Sequence, residues 1–137
     1  MNVEAIKLAD LAKKHGIKHV VLYGSHALGN AKSDSDIDVA VYLEPDRLEN
    51  FYFNGYLDLL PDFAKATGVK VEKIDLVLLN TANILLRYEI TSKGELLFGD
   101  PDQFTQYQAF AFRDYLDAKS LFELESYLIS KRQALIA

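Results

Sequence analysis

Two aspartates, Asp36 and Asp38, are the residues whose types and spacing best suit chemistry. From Asp36 to Leu43 polar and apolar residues alternate, which predicts a β-strand with both carboxylates at its beginning and on one face. Residues two apart on a strand lie only about 7 Å from each other, and two ionised carboxylates held there repel. Mg²⁺ prefers carboxylate oxygens and keeps open positions for water or phosphate. The pair therefore predicts a magnesium site.

A glycine-serine pair, Gly24-Ser25, complements the aspartates, because it directly follows a predicted buried strand from Ile17 to Tyr23. Glycine lets the backbone approach a ligand closely, and exposed amide N–H groups with a serine hydroxyl can hold phosphate oxygens. Asp75 lies in another predicted strand and, if that strand neighbours the first two, could supply a third carboxylate. Three carboxylates around two metal ions recur in enzymes that displace a group at phosphorus. Together these residues predict a nucleoside triphosphate site.

The elements that must position these residues alternate between helical and strand patterns, which predicts an α/β fold with a mixed sheet of about four strands flanked by helices. We expect a single domain over residues 1–137, with a catalytic core at about 1–100 and a long C-terminal helix at about 102–132. Strands are predicted at 17–23, 36–43, 69–79 and 95–98, and the other helices at 3–14, 47–66 and from Asn80 or Thr81 to Ser92.

Composition excludes several classes of function. The net charge of −5 argues against non-specific nucleic-acid binding, which needs a basic surface, although it permits a basic protein partner. The chain has no cysteine, which removes disulfides, thiolate nucleophiles and zinc-thiolate sites. It has neither a membrane-spanning apolar stretch nor a signal-peptide core, so we expect a cytoplasmic protein.

Each candidate residue also has a simpler interpretation. The acidic cluster could be a solvated turn at the start of a strand, with Asp34 facing solvent or capping the turn. Asp75 alone is more typical of a surface charge on an edge strand, and His26 of a surface loop. His15 and His19 are interpreted as structural residues. The metal site is favoured because Gly24-Ser25 lies at a suitable distance from the aspartates.

The arrangement G-S-x10-D-x-D resembles the signature of the nucleotidyltransferase superfamily related to DNA polymerase β. The short chain, and the segments LVLLNTA at 76–82 and ILLRYEI at 84–90, are similar to the minimal nucleotidyltransferases and to the MntA antitoxin family. The resemblance implies a polymerase-β-like fold. It implies that Asp36, Asp38 and Asp75 bind Mg²⁺, as two ions, and that Gly24 and Ser25 bind the β- and γ-phosphates.

The resemblance also implies an activity. MntA-like proteins transfer AMP from ATP to a tyrosine hydroxyl of a HEPN ribonuclease toxin, releasing diphosphate and silencing the toxin. Asp75 would then orient or deprotonate the acceptor hydroxyl. Many relatives have arginine where this chain has His26, which implies weaker or pH-dependent binding of the triphosphate.

The predicted C-terminal helix is unusually rich in aromatic side chains. Seven of the chain's aromatic residues (eight Phe and eight Tyr) lie between Phe104 and Tyr127, and their spacing does not keep to one face. Either the domain wraps this helix or a protein partner binds it. Two other functions therefore stay open: an antitoxin that masks its toxin without catalysis, and a small-molecule nucleotidyltransferase, although such enzymes usually have a further domain for the acceptor.

Overall fold

The computed structural model describes residues 5–29, 35–51 and 55–136. Helices and strands follow one another along the chain as α1 Ala5–His15, β1 Ile17–Tyr23, α2 Ser25–Leu28, β2 Ile37–Leu43, α3 Leu48–Asn50, α4 Tyr56–Thr67, β3 Ile74–Leu78, α5 Ile84–Lys93, β4 Glu95–Phe98 and α6 Pro101–Ile136. Short 3₁₀ turns at Pro45–Arg47, Val71–Lys73 and Leu79–Thr81 connect them.

The four strands form one mixed sheet in the order β3-β2-β1-β4. β1 pairs antiparallel with both β2 and β4, whereas β2 pairs parallel with β3. The predicted α/β fold, with a mixed four-stranded sheet and a long C-terminal helix, is confirmed. β4 lies at an edge of the sheet, as predicted.

Side chains alternate between the two faces of the sheet, so each strand contributes to two cores. One core lies against α1 and α4 and contains Val20, Val39 and Phe63. The other lies against α5 and α6 and contains Ala40 and Ile90 among its buried residues. In β2 the even-numbered residues face the second core. Asp38 therefore points to the same side of the sheet as Ala40.

Some predicted boundaries are wrong. The predicted strand at 69–79 is shorter, because 3₁₀ turns occupy both of its ends and leave Ile74–Leu78 as β3. The N-cap of α5 is Asn83 rather than Asn80 or Thr81: its side-chain oxygen accepts a hydrogen bond from the Leu86 N–H at 2.9 Å. The C-terminal helix is longer than predicted and spans Pro101–Ile136.

The predicted helix at 47–66 is divided, with α3 ending at Asn50 and α4 beginning at Tyr56. Pro61 lies inside α4 although it lacks the N–H of the helical ladder. Leu59 and Phe63 on either side of it are buried, so packing holds this helix in place. The expected break at Asn54, the expected cap at Asn2 and Asp34 lie outside the described residues.

Within residues 5–29, 35–51 and 55–136, no helix has both the length and the apolar character needed to cross a membrane. Even the 36-residue α6 lacks an apolar stretch sufficient to cross a bilayer.

Candidate active site

Three neighbouring strands place polar side chains in one row across the sheet. Tyr23, the last residue of β1, lies opposite Asp38 in the antiparallel pair. Asp38 in turn lies opposite Asp75 in the parallel pair of β2 and β3. Partners in register point to the same face of a sheet, so the two carboxylates are direct neighbours. The row lies near the beginning of β2 and β3 and at the end of β1, at one end of the sheet.

Gly24 packs directly against this row. Its backbone has φ 74° and ψ −153°, a conformation that is open essentially only to glycine. A Cβ atom at this position would collide with Oδ2 of Asp38. α2 begins immediately afterwards at the partly buried Ser25 and closes with a hydrogen bond from the Leu28 N–H to the Gly24 carbonyl, 3.2 Å long. Glycine is therefore required here for a close approach to the carboxylate.

The carboxylates disfavour each other's charge. Burial raises the pKa of Asp38 above its ordinary value, and the charge of Asp75, a hydrogen bond with the Asp75 carboxyl and the charge of Asp36 raise it further. Burial also raises the pKa of Tyr23 to about 12, with contributions from Asp38 and Asp75. The row thus sets the partly buried carboxyl of Asp38 beside the exposed carboxyl of Asp75. A cation would lower the free energy of such a site.

The sequence and the fold both match known proteins. Residues 6–103 match the family described as polymerase beta, nucleotidyltransferase. The chain belongs to this nucleotidyltransferase family. A relative, the protein adenylyltransferase MntA of Aphanizomenon flos-aquae, is 30% identical over 107 residues, which cover 75% of this chain and 71% of the relative. The resemblance predicted from the Gly-Ser and Asp-x-Asp motifs is confirmed.

Solved structures share the fold of this nucleotidyltransferase. One is a toxin-antitoxin with AMP-PNP, which matches with a TM-score of 0.63 at 21% identity over 90% of this chain and 97% of the other. Another is the tri-AMPylated HEPN toxin of Shewanella oneidensis in complex with its MNT antitoxin, with a TM-score of 0.60 at 22% identity over 90% and 94% of the two chains. These likenesses support the predicted polymerase-β-like fold.

The donor set of the nucleotidyltransferase suits a hard cation such as Mg²⁺. Asp38 and Asp75 offer neighbouring carboxylate oxygens, and their mutual repulsion is what a divalent ion would offset. Within the part of the chain that the structure describes, however, no three His, Cys, Asp or Glu side chains converge into a metal-binding group. Asp36 is exposed and precedes β2, so the sheet does not fix its side chain. The binding of one or two Mg²⁺ ions therefore stays a prediction.

The structure brings three of the five predicted site residues together: Gly24, Asp38 and Asp75. Ser25 follows Gly24 at the start of α2, and Asp36 lies close enough for its charge to act on Asp38. The role of each residue in metal or phosphate binding stays a prediction.

Two aromatic residues of the nucleotidyltransferase adjoin the carboxylates. Nε2 of His26 lies 3.3 Å from the Ser35 carbonyl, and its charge when protonated would lower the pKa of Asp38. His26 is thus near the site, as its position after Gly24-Ser25 suggests. The sequence motifs do not point to Tyr23. Its place at the end of β1, directly before the glycine, is the signal that could have found it.

Proposed function

We propose that this nucleotidyltransferase is the antitoxin of a HEPN ribonuclease toxin and that it transfers AMP from ATP to a tyrosine hydroxyl of that toxin. The observation that carries the proposal is the Gly24 backbone packed on Asp38, with Asp75 next to it in register. The relative named protein adenylyltransferase MntA, and the structure of an AMPylated HEPN toxin with its antitoxin, support AMP as the transferred group and the toxin as its acceptor.

The proposed site divides the nucleotide between two sets of residues. The backbone of Gly24 and the hydroxyl of Ser25 hold the β- and γ-phosphates of ATP, because glycine allows this approach. Asp38 and Asp75, joined by the exposed Asp36, hold Mg²⁺ as two ions. Bound Mg²⁺ supplies charge neutralisation for the triphosphate and the leaving diphosphate.

The carboxylate of Asp75 accepts the proton of the acceptor hydroxyl in this proposal. β3 is an edge strand and Asp75 is exposed, so an incoming side chain can reach it. The tyrosine oxygen attacks the α-phosphorus of ATP and forms a new P–O bond. The bond from the α-phosphorus to the bridging oxygen breaks, and diphosphate leaves with that electron pair. A reaction that consumes ATP to restrain a ribonuclease is expected in the cytoplasm.

The test is to incubate the protein with its cognate HEPN toxin, α-labelled ATP and Mg²⁺, and to locate the label by mass spectrometry. We expect AMP on a toxin tyrosine and loss of ribonuclease activity. The Asp38→Asn variant should neither label nor neutralise, whereas Asp46→Asn, which changes an exposed aspartate of the 3₁₀ turn at Pro45–Arg47, should do both. An unlabelled toxin that is still neutralised by Asp38→Asn would overturn the proposal.

Masking without catalysis is the second candidate function, and one observation favours it. All residues of α6 from 119 to 136 are exposed, and many of them are apolar. A partner helix could cover that surface without any chemistry. Neutralisation that persists in the absence of ATP would favour masking over transfer.

A further inference from the structure

The last part of α6 extends away from the rest of the protein. Its first half packs on α5: the Gln108 side-chain amide donates to the Thr91 carbonyl at 2.8 Å, and the rings of Tyr88 and Tyr115 stack 4.1 Å apart. Ala118 is the last buried residue of the helix. From residue 119 onwards every described residue is exposed. This half of α6 presents all of its faces to the surroundings.

Apolar residues recur in adjacent pairs along this exposed half. The pairs are seven residues apart, which is close to two helical turns, so they lie on one face. Their side chains are between 48% and 87% exposed. The pairs are Leu121-Phe122, Leu128-Ile129 and Leu135-Ile136.

Two charged residues lie on the same face. One lies between the first and second apolar pairs, and the other lies between the second and third. Glu125 follows the first pair by three residues and Arg132 follows the second by three, so both project from the middle of the apolar surface. A groove of about 300 Å³ runs along it, with Glu125 and Arg132 among its lining residues. The acidic residue comes first and the basic residue second. The face therefore has a direction.

We propose that this face binds the same face of a second copy of the chain, with the two helices antiparallel. Centred between Leu128 and Ile129, such a pair sets Leu121 opposite Ile136 of the other copy. The same register sets Glu125 opposite Arg132 of the other copy, twice in each dimer, as a two-fold axis requires. A parallel pair would instead set Glu125 against Glu125 and Arg132 against Arg132. The charges thus select both the partner and its direction.

The dimer does not depend on the proposed AMP transfer, since residues 121–136 lie beyond the part of α6 that packs on the sheet. α6 touches the sheet through Phe104, whose ring lies 5.5 Å from that of His19, and through Tyr107, 5.1 Å from Tyr42. The helix then packs along α5, and Phe122 of the first apolar pair still borders a groove with Ile84 and Leu85 of α5. Loss of the dimer and loss of transfer are therefore separately measurable.

The test is sedimentation equilibrium of the full chain over a range of concentrations, without toxin. We expect a reversible monomer–dimer equilibrium for the native chain. Glu125→Arg creates two Arg–Arg contacts in each dimer, and Arg132→Glu creates two Glu–Glu contacts. Each should weaken the dimer by about tenfold or more. Glu123→Arg makes the same charge change away from this face and should leave the dimer intact.

Restoration of charge pairing gives the sharper result. The double variant Glu125→Arg/Arg132→Glu should dimerise again, and an equimolar mixture of the two single variants should form a heterodimer, because both exchanges restore opposite charges. A native chain that stays monomeric at every concentration would overturn the proposal. A dimer that Glu125→Arg leaves unchanged would also overturn it. So would a face that binds the toxin but not a second copy of the chain.

Discussion

Gly24 and Asp38 constrain each other at the level of single residues. The glycine has a positive φ and no room for a Cβ beside the Asp38 carboxylate. The chain offers a natural comparison in Gly29, which also has a positive φ, of 75°. A Cβ atom added to Gly29 would meet no atom of the described residues within 4 Å. Substitutions at the two glycines therefore distinguish the effect of backbone strain from the effect of crowding against Asp38.

Gly24→Ala should destabilise the fold by about 1–3 kcal/mol and abolish AMP transfer, because the methyl group displaces Asp38. Gly29→Ala should cost about 1 kcal/mol of backbone strain and keep most of the activity. Thermal unfolding and the transfer assay measure the two effects. Equal losses of activity in both variants would show that crowding against Asp38 does not matter.

Asp38→Asn should stabilise the nucleotide-free and metal-free protein at neutral pH. The folded protein raises the pKa of Asp38 above its ordinary value of 3.8, so the neutral form is favoured by folding. This contribution to the free energy of unfolding is present below pH 3.8 and is lost as pH rises through the folded pKa. Unfolding in the presence of a chelator checks it, with Asp46→Asn as control. A less stable Asp38→Asn variant would contradict the repulsion between the carboxylates.

The sequence predicts Asp36 and Asp38 as a pair because alternation along one strand is visible in it. The structure also gives Asp38 an acidic neighbour across the sheet, Asp75, whose carboxyl forms a hydrogen bond with it. That adjacency depends on the parallel register of β2 and β3, which no local pattern encodes. The predicted strand makes Asp75 a candidate ligand, and the family resemblance assigns it to the site.

At the level of elements, Asn80 extends the pairing of β2 and β3 beyond the point where β3 ends. The 3₁₀ turn Leu79–Thr81 carries the backbone away from β2. The side chain of Asn80 replaces the lost ladder: it accepts from the Leu43 N–H at 2.9 Å and donates to the Leu43 carbonyl at 3.0 Å. This bridge holds the far end of the strand pair that positions both carboxylates.

Asn80→Ala should lower the free energy of unfolding by about 1–3 kcal/mol, since it leaves two backbone groups of Leu43 without partners. Thr81→Ala changes an exposed residue of the same turn and should have a small effect. Chemical denaturation measures both. If the two variants are equally stable, the bridge contributes nothing to strand pairing.

Elements with strong local signals are predicted well and others are not. The bounds of β1 and β4 agree with the prediction, because glycine precedes each strand and a glycine or a glycine-serine pair follows it. β3 is shorter than predicted, since the apolar residues that flank it are also compatible with 3₁₀ turns. Short apolar runs do not distinguish these conformations.

At the level of the whole molecule, a buried histidine links the sheet to α6. His19 is only 2% exposed and packs between the rings of Tyr42 and Phe104. Among the described residues, neither ring nitrogen has a hydrogen-bond partner. Burial, and secondarily the charge of Lys18, lower the pKa of His19 below its ordinary value of 6.5. The sequence indicates a structural role for His19 but not this degree of burial, which depends on where α6 crosses the sheet.

The protein should lose stability as pH falls below about 6.5, since the unfolded chain then binds a proton at His19 that the folded protein resists. Above that pH the contribution is fully present. His19→Phe should remove this part of the pH dependence, whereas His26→Asn should retain it. Thermal unfolding between pH 5 and 8 gives the comparison. An unchanged profile for His19→Phe would show that the buried ring does not control acid stability.

We propose that Gly24, Asp38 and Asp75 form the site of nucleotidyl transfer. The most direct measurement is the single-turnover rate of AMP transfer from α-labelled ATP to the cognate HEPN toxin, in the native chain and in folded Asp38→Asn, Asp75→Asn and Asp46→Asn variants. We expect Asp38→Asn and Asp75→Asn each to lower the rate by about 100-fold or more, and Asp46→Asn to leave it unchanged. Near-native rates in Asp38→Asn and Asp75→Asn would contradict the assignment of the site.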